Sequence, residues 1–290
     1  MLRFRLNYLM LVVVCFIPQA LVGQGKDFQF TLKNGEEAVA ELSASAPGAS
    51  WATNGDEAAV ARIILDGQYN QDVIVFGSER PATYPVLLGY LKARPHTLAV
   101  KRDDRLSARQ ARLVVHKASV SVISEDAPEF QVAQHAPVLF ARADTLGAFS
   151  DAPLLMWYEI FKKPEGETIQ YSIVFSNEDG GTRTDALMAR WGRATDIEYI
   201  YRVTLDNRDR IKKKVFLGID EKAHPFRGRK EGLHPLILDA TPNNDFTDTG
   251  YTPVRYRFMP VNADLIPHSR EALMDRFPWT YRVMSEELGR

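Results

Sequence analysis

Short runs of apolar or alternating residues, separated by turn signals, follow one another through most of this chain. The run 28–32 alternates apolar with polar side chains and leads into Asn34-Gly35, and the run 60–65 leads into Asp66-Gly67. Alternation with a period of two residues is typical of half-buried strands, and these dipeptides are typical of tight hairpin turns. Because such strands recur every ~8–12 residues, the pattern predicts a mainly β fold built from sandwiches.

The chain has 290 residues, which is room for about two domains. Residues 26–124 carry the strands described above and predict a first β-sandwich. The charged, proline-containing residues 125–134 predict a linker, and residues 135–290 predict a second β-sandwich-like domain with long loops. Helical patterns in this second domain cover 184–191, 269–277 and 279–288.

The first domain resembles the immunoglobulin-like and fibronectin-like modules that accompany secreted enzymes and glycan-binding proteins. Trp51 and Gly55 precede a predicted strand, and the run Tyr84-x-Val86-x-Leu88-Gly89 precedes His96. The resemblance covers residues 51–100 and implies a spacer or recognition module.

The first residues of the chain predict export. Arg3 and Arg5 precede an apolar run at 9–17, and small residues follow at Ala20 and Gly23. This order is typical of a cleavable signal over residues 1–25, and the apolar run is shorter than the ~20 residues that span a bilayer. We therefore predict a secreted or periplasmic protein without a transmembrane span after cleavage.

Composition and motifs exclude several classes of function. Lys and Arg number 36 against 37 Asp and Glu, so the basic excess that nucleic-acid binding requires is missing. The sequence has no Walker loop and no dinucleotide fingerprint, so no nucleotide cofactor is expected. Its single cysteine, Cys15, lies in the predicted signal, so a mature chain would form no disulfide and no thiolate metal site.

An acidic loop follows one predicted strand of the second domain. Glu178 and Asp179 stand directly before Gly180-Gly181. Two carboxylates at a tight turn supply the oxygen ligands that a hard cation such as calcium takes. The same residues also fit a solvated hairpin turn, since the ligand spacing of an EF-hand loop is missing.

A second pair of acids stands at the start of another predicted strand. Asp196 and Glu198 are two residues apart, so their side chains are expected on one face of the strand. Ile197, Tyr199 and Tyr201 are expected on the other face. Because charged groups are rarely buried without a partner, the acids are expected to bind a cation, to pair with Arg190 or Arg193, or to face solvent.

A histidine completes the candidate site. His234 precedes Pro235 and a predicted strand that leads to Asn243-Asn244-Asp245. An imidazole beside carboxylates can ligate a divalent metal or act as a general acid, although a histidine in a loop is also commonly structural. The predicted cation ligands are Glu178, Asp179, Asp196, Glu198 and His234.

The second domain also resembles the Vps62-like proteins of plants and the NPP1-type necrosis-inducing secreted proteins. The matching elements are an opening strand at 135–139, the strand 171–175, the Gly192 loop, Asp196-Ile197-Glu198 and His234-Pro235. The resemblance implies a divalent ion held by acidic and histidine residues, at a site that engages lipid headgroups. The chain departs from the pattern where Ala194-Thr195 replaces a histidine and Ile197 replaces a tryptophan.

Three functions stay open at this level. The favoured one is a secreted or periplasmic protein that binds a glycan or a lipid headgroup and carries a divalent-cation site. The alternative is an extracellular hydrolase of glycan or lipid, with Asp196 or Glu198 as general base and His234 as general acid. The third is a structural envelope protein without a site.

Overall fold

The computed structural model describes residues 21–22, 26–142, 151–178, 183–265 and 270–288. Strands dominate this part of the chain, which confirms the predicted mainly β fold. Of the predicted export signal, only residues 21–22 are described. The strands are β1 (Leu21–Val22), β2 (Lys26–Thr31), β3 (Glu36–Ser45), β4 (Ala59–Leu65), β5 (Gln68–Val75), β6 (Ala82–Leu91), β7 (Pro95–Arg102), β8 (Val114–Ile123), β9 (Val138–Phe140), β10 (Pro153–Lys163), β11 (Gly166–Phe175), β12 (Ile197–Asp206), β13 (Ile211–Leu217), β14 (Ala223–Pro225), β15 (Lys230–Glu231), β16 (His234–Asp239), β17 (Phe246–Thr247), β18 (Arg255–Tyr256) and β19 (Val261–Asn262). The helices are α1 (Phe130–His135), α2 (Thr184–Trp191), α3 (Glu271–Arg276) and α4 (Trp279–Leu288).

The first part of the chain is a sandwich of two four-stranded antiparallel sheets. One sheet has the strand order β1-β8-β3-β6 and the other β2-β7-β4-β5. Ala38, Ala40 and Leu42 of β3 point inward at every second position, because successive side chains of a strand face opposite sides. They meet Phe28 and Ile63 of the opposite sheet in a buried cluster, which holds the two sheets together.

The segment predicted to be a linker contains a packed helix. Val132 and Ala133 of α1 have no solvent exposure and belong to a cluster that we call the main core. The hydroxyl of Tyr171 in β11 donates to the carbonyl of Val132 at 2.7 Å. Burial and this hydrogen bond fix α1 between the two parts of the chain.

The second part of the chain is built on a six-stranded sheet of order β14-β13-β12-β11-β10-β19. A smaller sheet of order β15-β16-β9-β18, with β17 beside β16, packs on one face of it. The main core lies between these sheets and includes Ile173, Val203 and Ile237. It continues into the first sandwich through Val60 and Leu87.

Helices cover part of the other face of the six-stranded sheet. Ile197 and Val174 pack there against Leu273 and Met274 of α3, in what we call the helix-side cluster. The helix predicted at 184–191 is present as α2, and the C-terminal helical pattern is present as α3 and α4. Within the described ranges, no helix has the length and apolar character needed to cross a membrane.

Candidate functional site

The strand that carries the predicted acids has a β-bulge. Tyr199 and Tyr201 of β12 pair with consecutive residues of β11, so Ile200 is an extra residue. Ile200 and Tyr201 both lie in the main core, whereas Ile197 lies in the helix-side cluster. The expectation that Tyr201 shares the face of Ile197 is therefore wrong, because the bulge reverses the alternation after Tyr199.

Asp196 belongs to a buried polar network. The side-chain amide of Asn244 donates to Asp196 Oδ2 at 2.8 Å and to Asp151 Oδ1 at 3.1 Å. Arg142 Nη2 lies 2.9 Å from Asp151 Oδ2. All four side chains are buried, so one amide and one guanidinium hold two carboxylates inside the protein.

Three of the predicted ligands, Glu178, Asp196 and Glu198, lie close enough for their charges to affect one another. Burial raises the pKa of Asp196 well above its usual range, and the charges of Glu178 and Glu198 add to this effect. Burial also raises the pKa of Glu198 to about 7, against the opposing charge of Arg270. Arg270 Nη1 lies 3.7 Å from Glu198 Oε1, and Arg193 Nη1 lies 3.6 Å from Glu178 Oε2. Guanidinium groups therefore already supply positive charge to these acids.

His234 lies elsewhere, between α1 and the first sandwich. Its Nδ1 is 3.0 Å from the carbonyl oxygen of Ala136, and its Nε2 is 3.4 Å from Glu37 Oε2 in β3. Burial lowers the pKa of the neighbouring His135 to about 4, and the charge of His234 acts in the same direction. The structure thus brings together Glu178, Asp196 and Glu198, and places His234 with another carboxylate.

The divalent-cation site stays a prediction. Within the described residues, no group of three or more histidine, cysteine, aspartate or glutamate side chains is placed to hold one metal ion. Asp179, the remaining predicted ligand, lies outside the described residues.

A cleft of about 1000 Å³ opens where the loops 226–229 and 248–254 meet the first sandwich. Tyr251 stands in its wall with 71% of its surface exposed, and its ring centroid lies 6.4 Å from that of Phe140. The guanidinium carbon of Arg229 lies 5.9 Å from the Tyr251 ring centroid. Tyr69 of β5 lines the same cleft, so both parts of the chain contribute to it.

Close backbone contact holds the two loops together. A Cβ atom on Gly228 would lie 2.3 Å from the carbonyl oxygen of Asp248, so only glycine fits there. The backbone N–H of Arg227 donates to Asp248 Oδ2 at 2.7 Å. Thr252 Oγ1 donates to the carbonyl of Ala141 at 2.8 Å, which ties the second loop to the residue that follows β9. These contacts therefore fix the wall of the cleft that carries Tyr251.

Arg255 joins the cleft to the first sandwich. Its Nε donates to the carbonyl of Asn70 at 2.6 Å and its Nη2 to the carbonyl of Tyr69 at 3.1 Å. Its Nη1 pairs with Glu231. With three partners the guanidinium has a structural role, and it fixes Tyr69 relative to the loops.

A second cavity of about 1050 Å³ lies between the two parts of the chain. Most of its wall is apolar and includes Met156, Phe258 and Trp279. Trp279 stacks on Phe76 of the first sandwich with ring centroids 4.0 Å apart. This cavity therefore runs along the interface between the first sandwich and the second part of the chain.

Sequence reasoning missed the cleft around Tyr251. The signals were present as a turn glycine before an aromatic, Gly250-Tyr251, and as two arginines around a glycine, Arg227-Gly228-Arg229. Each is a common loop pattern, and only the fold brings them together.

No family model and no curated protein matches this sequence. Among solved structures, a carbohydrate-binding domain, CBM36-1 of a multidomain xylanase from the hindgut metagenome of Trinervitermes trinervoides, is 14% identical and covers 37% of this chain and 78% of that one, with a TM-score of 0.26. The sugar-binding C-terminal domain of EclA is 15% identical over 37% of this chain and 82% of its own, with a TM-score of 0.23. A family two carbohydrate esterase from Clostridium thermocellum is 16% identical over 43% of this chain and only 32% of the esterase, with a TM-score of 0.23. Likenesses at this level do not define a shared fold, and what these proteins bind is a property of those proteins.

Proposed function

We propose that this protein binds glycans and that the cleft around Tyr251 is the binding site. The proposal depends on one observation, the exposed Tyr251 ring in the wall of the cleft, with Phe140 and Arg229 beside it. A sugar presents an apolar C–H face and a rim of hydroxyl groups. An open aromatic face matches the first, and charged or amide groups at the rim match the second.

The construction of the cleft also favours ligand binding. The cleft is open to solvent and is lined by residues of the loops 226–229 and 248–254 and by Tyr69 of the first sandwich. The loops are held by Gly228 and Asp248, so little ordering is needed when a ligand binds. Export, as predicted from the N-terminal residues, would bring this cleft to extracellular or periplasmic polysaccharides.

The test is the loss of the aromatic face. We expect Tyr251→Ala to weaken binding at least about 5-fold in a polysaccharide affinity gel or by titration calorimetry, since an aromatic contact contributes about 1 kcal/mol beyond its buried area. The melting temperature should change little, because the ring is exposed.

The matched control is Tyr90→Ala. Tyr90 has 58% of its surface exposed on β6 and lies outside the cleft, so its removal should leave glycan affinity unchanged. Equal affinities of Tyr251→Ala and the wild type across a panel of neutral and acidic polysaccharides would contradict the proposal.

A further inference from the structure

We infer that the glycan is acidic and that Arg227 and Arg229 bind the carboxylate of a uronic acid unit. The inference rests on the proposed function, because it names the ligand class of the same cleft. Both arginines are exposed, both line the cleft, and they flank Gly228.

The two guanidinium groups are free of acidic partners among the residues that the structure describes. Arg227 uses only its backbone N–H toward Asp248, and the contact of Arg229 is with the Tyr251 ring. By contrast, the nearby arginines Arg255 and Arg257 both pair with Glu231. Arg255 and Arg257 therefore hold the structure together, whereas the donors of Arg227 and Arg229, which line the cleft, remain available.

The local charge favours an anion. The two carboxylates that line the cleft are engaged, Glu231 by the structural arginines and Asp248 by the backbone of Arg227. Positive charge continues beyond the cleft at Lys230, and burial together with Lys230 lowers the pKa of Lys214. An acidic ligand would thus meet a positive rim.

Geometry favours a carboxylate attached directly to a sugar ring. The guanidinium carbon of Arg229 lies over one face of the Tyr251 ring, 5.9 Å from its centroid, so the sugar would stack on the opposite face of this exposed ring. A carboxylate that projects from the edge of the stacked pyranose would then be within reach of the exposed arginine side chains. Arginine forms two parallel N–H···O bonds with a planar carboxylate, which adds geometric specificity to the charge pairing.

The experiment compares one polymer in charged and uncharged form. The full chain is titrated with polygalacturonate, with the same polymer methyl-esterified, with a sulfated glycan and with a neutral glucan, at ~0.1 M salt. We expect the unesterified polyuronate to bind best, and its affinity to fall about 10-fold in Arg229→Gln and further in the double variant with Arg227→Gln.

Arg208→Gln is the matched control. Arg208 is exposed in the turn between β12 and β13, so its substitution removes the same charge outside the cleft. Retained affinity in this variant supports the inference. An equal loss in Arg208→Gln and Arg229→Gln would overturn it, because binding would then be a general charge effect.

The remaining outcomes separate the two proposals. Equal binding of esterified and unesterified polymer, still lost in Tyr251→Ala, would overturn the acidic ligand and leave glycan binding intact. Tighter binding of the sulfated glycan would overturn the carboxylate assignment. If no polymer binds, both the inference and the proposed function fail.

Discussion

At the scale of single residues, Asn244 shows how the buried acids are tolerated. Its backbone has a positive φ of 52°, a conformation that asparagine adopts more readily than most residues. Its side-chain amide donates a hydrogen bond to Asp151 and another to Asp196. A carboxylate in place of this amide would repel both aspartates. The residue therefore meets a backbone requirement and an electrostatic one together.

Glu198 makes the stability of the protein depend on pH. Its folded pKa of about 7 lies above its ordinary value of 4.5 because the side chain is buried. The folded state therefore holds the proton more tightly than the unfolded state. This contribution to stability is complete below pH 4.5 and is lost as the pH rises through about 7.

We predict that Glu198→Gln gains stability relative to the wild type as the pH is raised from 5 to 8. The neutral amide does not ionise, so the gain should be about 1–2 kcal/mol after allowance for partial exposure. Urea denaturation of the wild type and of Glu198→Gln across this pH range measures the difference between their unfolding free energies. The lowered pKa of His135 has the opposite effect on stability, but it is present in both proteins and cancels in the difference. Exposed Glu125→Gln is the control, and a difference between Glu198→Gln and wild type that does not vary with pH would contradict the prediction.

At the scale of elements, the cleft depends on two loops that touch backbone to backbone. We predict that Gly228→Ala weakens glycan binding, because the new Cβ would meet the carbonyl of Asp248 at 2.3 Å and displace the loop that carries Tyr251. Crowding of this kind costs about 1–3 kcal/mol of stability. Binding and unfolding are both measured on the same preparation.

Gly55→Ala is the matched control for this substitution. Gly55 has a φ of 88°, and a Cβ there would meet nothing within 4 Å. Its replacement should cost about 1–2 kcal/mol through the backbone alone and leave glycan affinity unchanged. If Gly228→Ala binds as the wild type does, the close approach of the loops does not shape the cleft.

Much of the element pattern could be predicted from sequence, and the candidate cleft could not. Local signals predicted the strands around Ile173 and Val203 and the helix at 184–191, because alternation and helical period are local properties. They failed at Ile200, since one inserted residue reverses the alternation without a local signature. They also could not place His234 or Tyr251, whose neighbours are set by the pairing of strands distant in the chain.

At the scale of the whole molecule, the two parts of the chain share a core. The main core contains Val60 and Leu87 from the first sandwich and Ile237 from the second part. The backbone N–H of Leu87 donates to the carbonyl of Arg257 at 2.9 Å, and Arg257 N donates to Gln71 Oε1 at 3.0 Å. Separation of the two parts would expose this apolar surface and leave these polar groups without partners.

We therefore predict that the described parts of the chain unfold in one cooperative transition. Leu42→Ala, in the first-sandwich cluster, and Leu273→Ala, in the helix-side cluster, should each cost about 2–5 kcal/mol and lower the temperature of that single transition. Calorimetry tests this through the agreement of calorimetric and van't Hoff enthalpies in all three proteins. A Leu42→Ala variant that melts in two steps, with the later step at the wild-type temperature, would mean that the sandwich unfolds independently. Tyr69 and Tyr251 line the cleft from different parts of the chain, so the cleft would then depend on a contact that opens before the second part unfolds.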